Sequence, residues 1–232
     1  MFEDQQRFIL RKISRINYTH TTMIDGYEDA EPVYKRFRDL LGPLSDHLKE
    51  LLTYEYGGRT YKQVMGTLDL VGERVGSDRF HQDDIYAGLG LVAKQTAERG
   101  PSSGATVTGA SFSAAFLGIS QYKQQMNIAL DAQLRVLKGL KDRAAHTDKS
   151  RMQVNNLRFD LETLRQSKAA QSAESVAADK KLEQEFTDAS TAALTEMTAF
   201  IGDDGVEGVL QKIAEAHREF SEKSAQALKS VG

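Results

Sequence analysis

Few residues in this sequence are spaced for chemistry. His81, Asp83 and Asp84 stand within one short stretch and are metal-ligand or acid–base types. The remaining histidines (20, 47, 146 and 217) have no partners at metal spacing. An aspartate just before an apolar helical run more simply caps and charges the helix that starts there. "GLGLVA" (88–93) imitates part of a dinucleotide-binding turn, but no strand-like run precedes it. "GPSSGATVTG" lacks the Gly-Lys-Ser/Thr of a phosphate loop, and "DDGVEG" lacks the alternating acidic ligands of a calcium loop. No enzyme activity, no metal and no cofactor are expected. The chain has no Cys, which excludes disulfides and thiolate sites and points to a reducing, cytoplasmic location.

The charge pattern carries more. The net charge is −3, which argues against a general nucleic-acid binder. Residues 116–168, however, hold 10 Lys/Arg against 5 Asp/Glu, whereas residues 169–232 hold 6 against 12. One basic element therefore faces something anionic, either acidic helix within the bundle or an outside surface. Arg158, Arg165 and Lys168 precede the Ala/Ser/Gln stretch of "LRFDLETLRQSKAAQSAESVAADKKLEQEF", and Lys180 and Lys181 follow it.

What must position these charges is helical. Apolar residues recur at alternating four- and three-residue steps from Ile9 through Ile13, Ile16, His20, Met23 and Tyr27 to Phe37, Leu41, Leu48 and on to Val75. That average of 3.5 is the seam of a left-handed supercoil. His20 lies on this stripe and is expected in the core. Pro32 and Pro43 leave the phase intact and read as kinks; Gly57-Gly58 is a further candidate bend. A second stripe includes Ile119, Met126, Leu130, Leu137, Leu157, Leu161 and Leu164. A third includes Phe186, Met197, Ile213 and Phe220, with a bend at "IGDDGVEG". The reading is helix one over about 3–75, a short helix and loop over 83–111, helix two over about 112–168, a tip at 169–177 and helix three over about 178–230. No apolar run is long enough to span a membrane.

A helix over 116–168 would be about 80 Å long, against roughly 45 Å for a compact domain of this size. The expected fold is all-α, an elongated antiparallel three-helix coiled coil with kinked long helices. Its exposed seam calls for a second copy, a six-helix homodimer.

"LEQEFTDASTAALTEMTAFIGDDGVEGVLQKIAEAHREFSEKSAQALKSV" resembles the third helix of BAR-domain proteins of the endophilin-like branch. "NNLRFDLETLRQSK" is similar to the end of that family's second helix, and "RKISRINYTHTTMIDGYEDAEPVYKRF" to the start of its first. The resemblance implies a crescent-shaped homodimer that binds anionic phospholipid membrane by a basic concave face and tips, in a membrane-trafficking or endocytic role. It implies membrane contact by Lys138, Lys141, Arg143, Lys149, Arg151, Arg158, Arg165, Lys168, Lys180 and Lys181. It implies a dimer core including Phe37, Leu41, Leu48, Leu157, Leu161, Leu164, Phe186, Met197, Ile213 and Phe220. The register already starts at Ile9, so an N-terminal amphipathic wedge helix is not expected, and sensing or scaffolding of curved membrane is favoured over insertion. The rival reading is a dimeric helical platform for a small GTPase or other protein. No nucleic-acid partner is expected.

Overall fold

Among the described residues the apolar periodicity resolves into five α-helices. The computed structural model describes residues 18–53, 84–100, 102–167 and 173–231. α1 is Tyr27–Thr53, α2 Ile85–Arg99, α3 Ser103–Gln166, α4 Ala173–Ile201 and α5 Gly205–Leu228, closed by a 3₁₀ turn at Lys229–Val231. The fold is all-α, with no strand among the described residues. The expected beginning of helix one, its continuation past residue 53, the Gly57-Gly58 bend, His81, Asp83, Lys168 and the first part of the tip lie outside the described residues.

The chain forms two units. The first comprises the chain up to Leu41 together with Gly139–Asp203; the second comprises Gly42–Lys138 and Asp204 onward. In the first, α1 buries Tyr27, Tyr34 and Leu41, seven residues apart, to 2%, 0% and 1% exposure. Ala144, Val154 and Leu161 of α3 and Phe186, Ala193, Met197 and Phe200 of α4 are buried in the same unit. Tyr34 packs edge-on against Phe200 with ring centroids 5.3 Å apart. In the second unit the buried residues include Leu48, Ile119, Met126, Leu130, Leu137, Val209 and Ala216. Heptad spacing at this regularity is what a coiled-coil seam requires.

Three boundaries differ from the sequence reading. Residues 18–26 are not helical, although Met23 and His20 continue the apolar stripe. Gly26 takes φ +80, a left-handed conformation that a side chain resists, so α1 starts only after it. His20 is accordingly exposed rather than core. Residues 103–111 are helical rather than loop. Their small side chains let α3 lie hard against α2: a Cβ on Gly109 would stand 2.9 Å from the Ala93 carbonyl oxygen and 2.9 Å from the Ala97 nitrogen. Composition read as flexible is here a close-packing surface. Finally, α4 begins at Ala173, five residues before the expected 178, because alanine favours helix even without an apolar face. α1 runs through both Pro32 and Pro43, and the chain breaks between α4 and α5 at Gly202–Asp204.

Candidate functional site

The basic residues of α3 divide by their place on the helix. Leu130, Leu137 and Ala144 form one line of the seam at seven-residue spacing, all buried. Continuing it by sevens gives Arg151, Arg158 and Arg165. These guanidiniums therefore start on the packed side of the helix and find internal partners.

Arg151, with its side chain 9% exposed, pairs with Glu31 of α1 and with Asp148 at 2.7 Å, and lies 5.3 Å over the Tyr34 ring. Arg38 grips Asp148 through Nη1 at 2.9 and 3.0 Å. The Tyr34 hydroxyl donates to the Ala144 carbonyl at 2.7 Å. Burial pushes the Tyr34 phenol up, reinforced by the Asp148 charge, and pushes Tyr27 up to about 12. Burial works to raise Glu31, but the hydrogen bond and charge of Arg151, helped by Lys35, outweigh it and hold the carboxyl below its ordinary range.

Arg158 donates to the Thr21 carbonyl at 3.1 Å, stacks 4.4 Å over Tyr18 and reaches Glu28 at 3.8 Å. Arg165 donates to Asp179 at 2.9 and 3.2 Å, to Glu183 at 2.8 Å and to the His20 carbonyl at 2.8 Å. The bonds to Asp179, first, and to Glu183 raise its already high pKa further against the opposing effect of burial. Arg143 pairs with Asp203 and sits 5.9 Å over Phe200.

The lysines differ. Lys149 and Lys180 are exposed and Lys141 is half-buried, and none of the three has a salt-bridge partner among the described residues. Lys149 and Lys141 stand about 80° apart around α3 and about 12 Å along it. Lys138, in the second unit, is also exposed. Lys181 is 81% exposed and pairs with Glu185 at 3.8 Å. Of the expected core set, Leu41, Leu48, Leu161, Phe186 and Met197 are buried. Phe37, Leu157, Leu164, Ile213 and Phe220 are half-buried.

Asp84 caps α2, accepting from the Tyr86 amide at 3.0 Å. Among the described residues no group of three or more His, Cys, Asp or Glu could hold a metal ion, and no described helix is long and apolar enough to cross a membrane. Sequence reasoning missed Glu162, which is fully buried. The signal was present: Arg158, Glu162 and Arg165 repeat at helical spacing among leucines. The seven-residue continuation from Ala144 to the three arginines would likewise have marked them as inward-facing.

A family model, the Bin/amphiphysin/Rvs domain for vesicular trafficking, matches residues 108–231. The chain is also 42% identical to Spore wall protein 12 of Encephalitozoon cuniculi, over 99% of this chain and 97% of that one. It is 32% identical to Spore wall protein 12 of Nosema bombycis, over 97% of this chain and 98% of the relative. The protein of the same name from Enterocytozoon bieneusi is 32% identical, over 98% of each. The expected cytoplasmic location does not stand: relatives that match along almost the whole length are named for the spore wall. The absence of Cys rules out disulfides, but it does not select a compartment.

Proposed function

Because the chain belongs to the Bin/amphiphysin/Rvs (BAR) domain family, we propose that it is a non-enzymatic, dimeric helical scaffold of the spore envelope that lies on an anionic membrane through exposed lysines of α3 and α4. The name of its relatives supports an envelope setting rather than an endocytic one.

One observation carries the choice of residues. Arg151, Arg158 and Arg165, themselves buried or half-buried, are spent on carboxylates and carbonyls of the first unit, and the exposed Arg143 is paired with Asp203. Moving them to lipid would break those pairs. Lys141, Lys149 and Lys180 give up nothing to meet an anionic surface. Each lysine near such a surface contributes roughly 1 kcal/mol. Three per chain, doubled in a dimer, suffice for reversible peripheral association, and only charges that come within about 8 Å of the surface count at physiological salt.

The test is co-sedimentation with vesicles of phosphatidylserine and phosphatidylcholine, against phosphatidylcholine alone. The wild-type protein should bind the anionic vesicles at low salt and lose them as salt rises. The triple change Lys141→Glu, Lys149→Glu, Lys180→Glu should abolish binding without loss of helicity. Equal binding by the triple variant would remove these lysines from the interface. No vesicle binding at all would turn the scaffold toward a protein partner.

A further inference from the structure

We propose that the last turns of α3 form a docking site for peptide main chain, filled by the chain's own Tyr18–Thr21, and that this segment is a strap able to leave while the helices stay folded. The geometry is that of a clasp. Glu162 accepts the Thr19 amide at 3.1 Å and the His20 amide at 3.2 Å. Arg165 donates to the His20 carbonyl at 2.8 Å and Arg158 to the Thr21 carbonyl at 3.1 Å. Two consecutive N–H groups and two consecutive C=O groups are thus read by three side chains on successive turns of one helix. None of these four bonds involves a side chain of the strap. The site therefore holds a bent main chain directly, and the strap's side chains add to that hold: the Thr19 hydroxyl stands 3.5 Å from Glu162, Thr21 is buried and Tyr18 lies 4.4 Å under Arg158.

The strap takes the place of a helix. Arg158 and Arg165 continue the seam line of α3, and α1 begins only at Tyr27. Before that point, residues 18–26 are not helical and present main-chain N–H and C=O groups, which match charged side chains better than leucines. Gly26 separates the strap from α1 with its left-handed turn, so the strap need not move with the helix.

Opening is local for an electrostatic reason. Beneath the strap Glu162 is a carboxylate with no exposure, and a buried charge that loses its donors is costly. When the strap lifts, water reaches Glu162 directly, while Gln166, which donates to it at 3.0 Å, stays in place. Arg165 keeps Asp179 and Glu183, and Arg158 keeps Glu28. The lost bonds are replaced by hydration. His20 is exposed even when the strap is seated, so its side chain adds little to the hold.

Amide hydrogen exchange on the full chain tests the proposal. In the wild-type protein the Thr19 and His20 amides should exchange more slowly than in an unstructured peptide, yet faster than the amides around Leu161, with little dependence on denaturant. Glu162→Gln should lower protection at these two positions by about tenfold to a hundredfold, leaving α3 and α4 unchanged. Should that variant lose helicity, Thr19→Pro removes a single donor and should produce the same selective loss at His20. Unprotected Thr19 and His20 in the wild-type protein would overturn the docking site. Exchange at the same rate as the Leu161 region would overturn the separate strap.

Discussion

The two units of this protein are closed by different chemistry. In the first, α1 and α3 meet through Arg38, Asp148, Arg151, Glu31 and Tyr34, a charged network with an aromatic ring at its centre. In the second, α2 meets the start of α3 through small residues: Gly109 lies against Ala93 and Ala97, and Gly90 lies so near Leu117 that a Cβ would be 2.8 Å from its Cγ. An aromatic pair backs this contact, with Tyr86 of α2 6.4 Å from Phe116 of α3, itself stacked on Phe112 at 4.1 Å. A charged interface tolerates changes of volume but not the loss of a partner. A close-packed one tolerates changes of charge but not an added methyl. The comparison teaches where each unit is fragile.

The largest effect is expected in the first unit's core. Leu161 is fully buried. Leu161→Asp places an unpaired carboxylate there and should destabilise by more than about 4 kcal/mol, enough to abolish cooperative unfolding followed by far-ultraviolet circular dichroism. Arg151→Met comes next. It takes their common cation from Glu31, which keeps Lys35, and from Asp148, which keeps Arg38, at a cost of about 3 kcal/mol. Adding Glu31→Gln should recover part of that loss, since the half-buried Glu31 charge is then gone while Arg38 keeps Asp148. A double variant no more stable than Arg151→Met would mean the guanidinium acts by packing rather than by charge.

In the second unit the sensitive substitution is steric. Gly109→Val would drive its side chain into the backbone of α2, at a cost of about 1–3 kcal/mol. Its signature should be loss of amide protection at Ala93 and Ala97 while Tyr34 and Val154 keep theirs. Simultaneous loss in both units would make the contact of α2 with α3 a general determinant of stability.

Acid should separate the units in the same order. Burial acts to raise Glu31 and Glu162, but Arg151 and Lys35 lower Glu31, and hydrogen bonds from Thr21, Gln166 and the His20 and Thr19 amides lower Glu162, both below the ordinary carboxylate value of about 4. A depressed folded-state pKa gives stability that is present above the unfolded value and lost as pH falls through the folded one. In the second unit, the carboxyl lowered among the described residues is Glu215, an exposed group hydrogen-bonded to Lys212. Amide signals of Tyr34 and Val154 should therefore weaken at a higher pH than those of Ile119 and Val209 as acid is added. The reverse order would show that the charged network is not the acid-labile part.

Much of this was legible in the sequence, because heptad spacing survives any change of partner: Leu41, Leu48, Leu161, Phe186 and Met197 announce themselves. What was not legible is instructive. His20 kept the apolar phase, yet Gly26 ends the helix before reaching it, and a three-four pattern does not encode a left-handed turn. "GATVTGAS" has the composition of a loop and the packing of a helix, because nothing in a list of small residues shows that a neighbouring helix needs them small. The arginines were counted by charge, when their spacing from Leu130, Leu137 and Ala144 had already assigned them to the seam. Lysines and arginines of equal charge were read as one basic surface. The fork of donors that lets an arginine hold two acids at once made the difference.

The smallest expected effect serves as the control on the whole comparison. Lys181 pairs with Glu185 at 3.8 Å on α4 of the first unit, and Lys212 pairs with Glu215 at 2.7 Å on α5 of the second. Both are helical pairs with side chains at least half exposed, the lysines 81% and 63%. Exposed pairs of this kind contribute less than about 0.5 kcal/mol, because water screens them and two long side chains must be held still. Lys181→Gln and Lys212→Gln should each shift the urea midpoint by an amount close to measurement error, and by the same amount. The difference between the units would then lie in buried charge and not in charge as such. If Lys181→Gln alone cost more than about 1 kcal/mol, the first unit's network would extend to its solvent face. The lysines there could not then be treated as free to leave for a membrane without loss of stability.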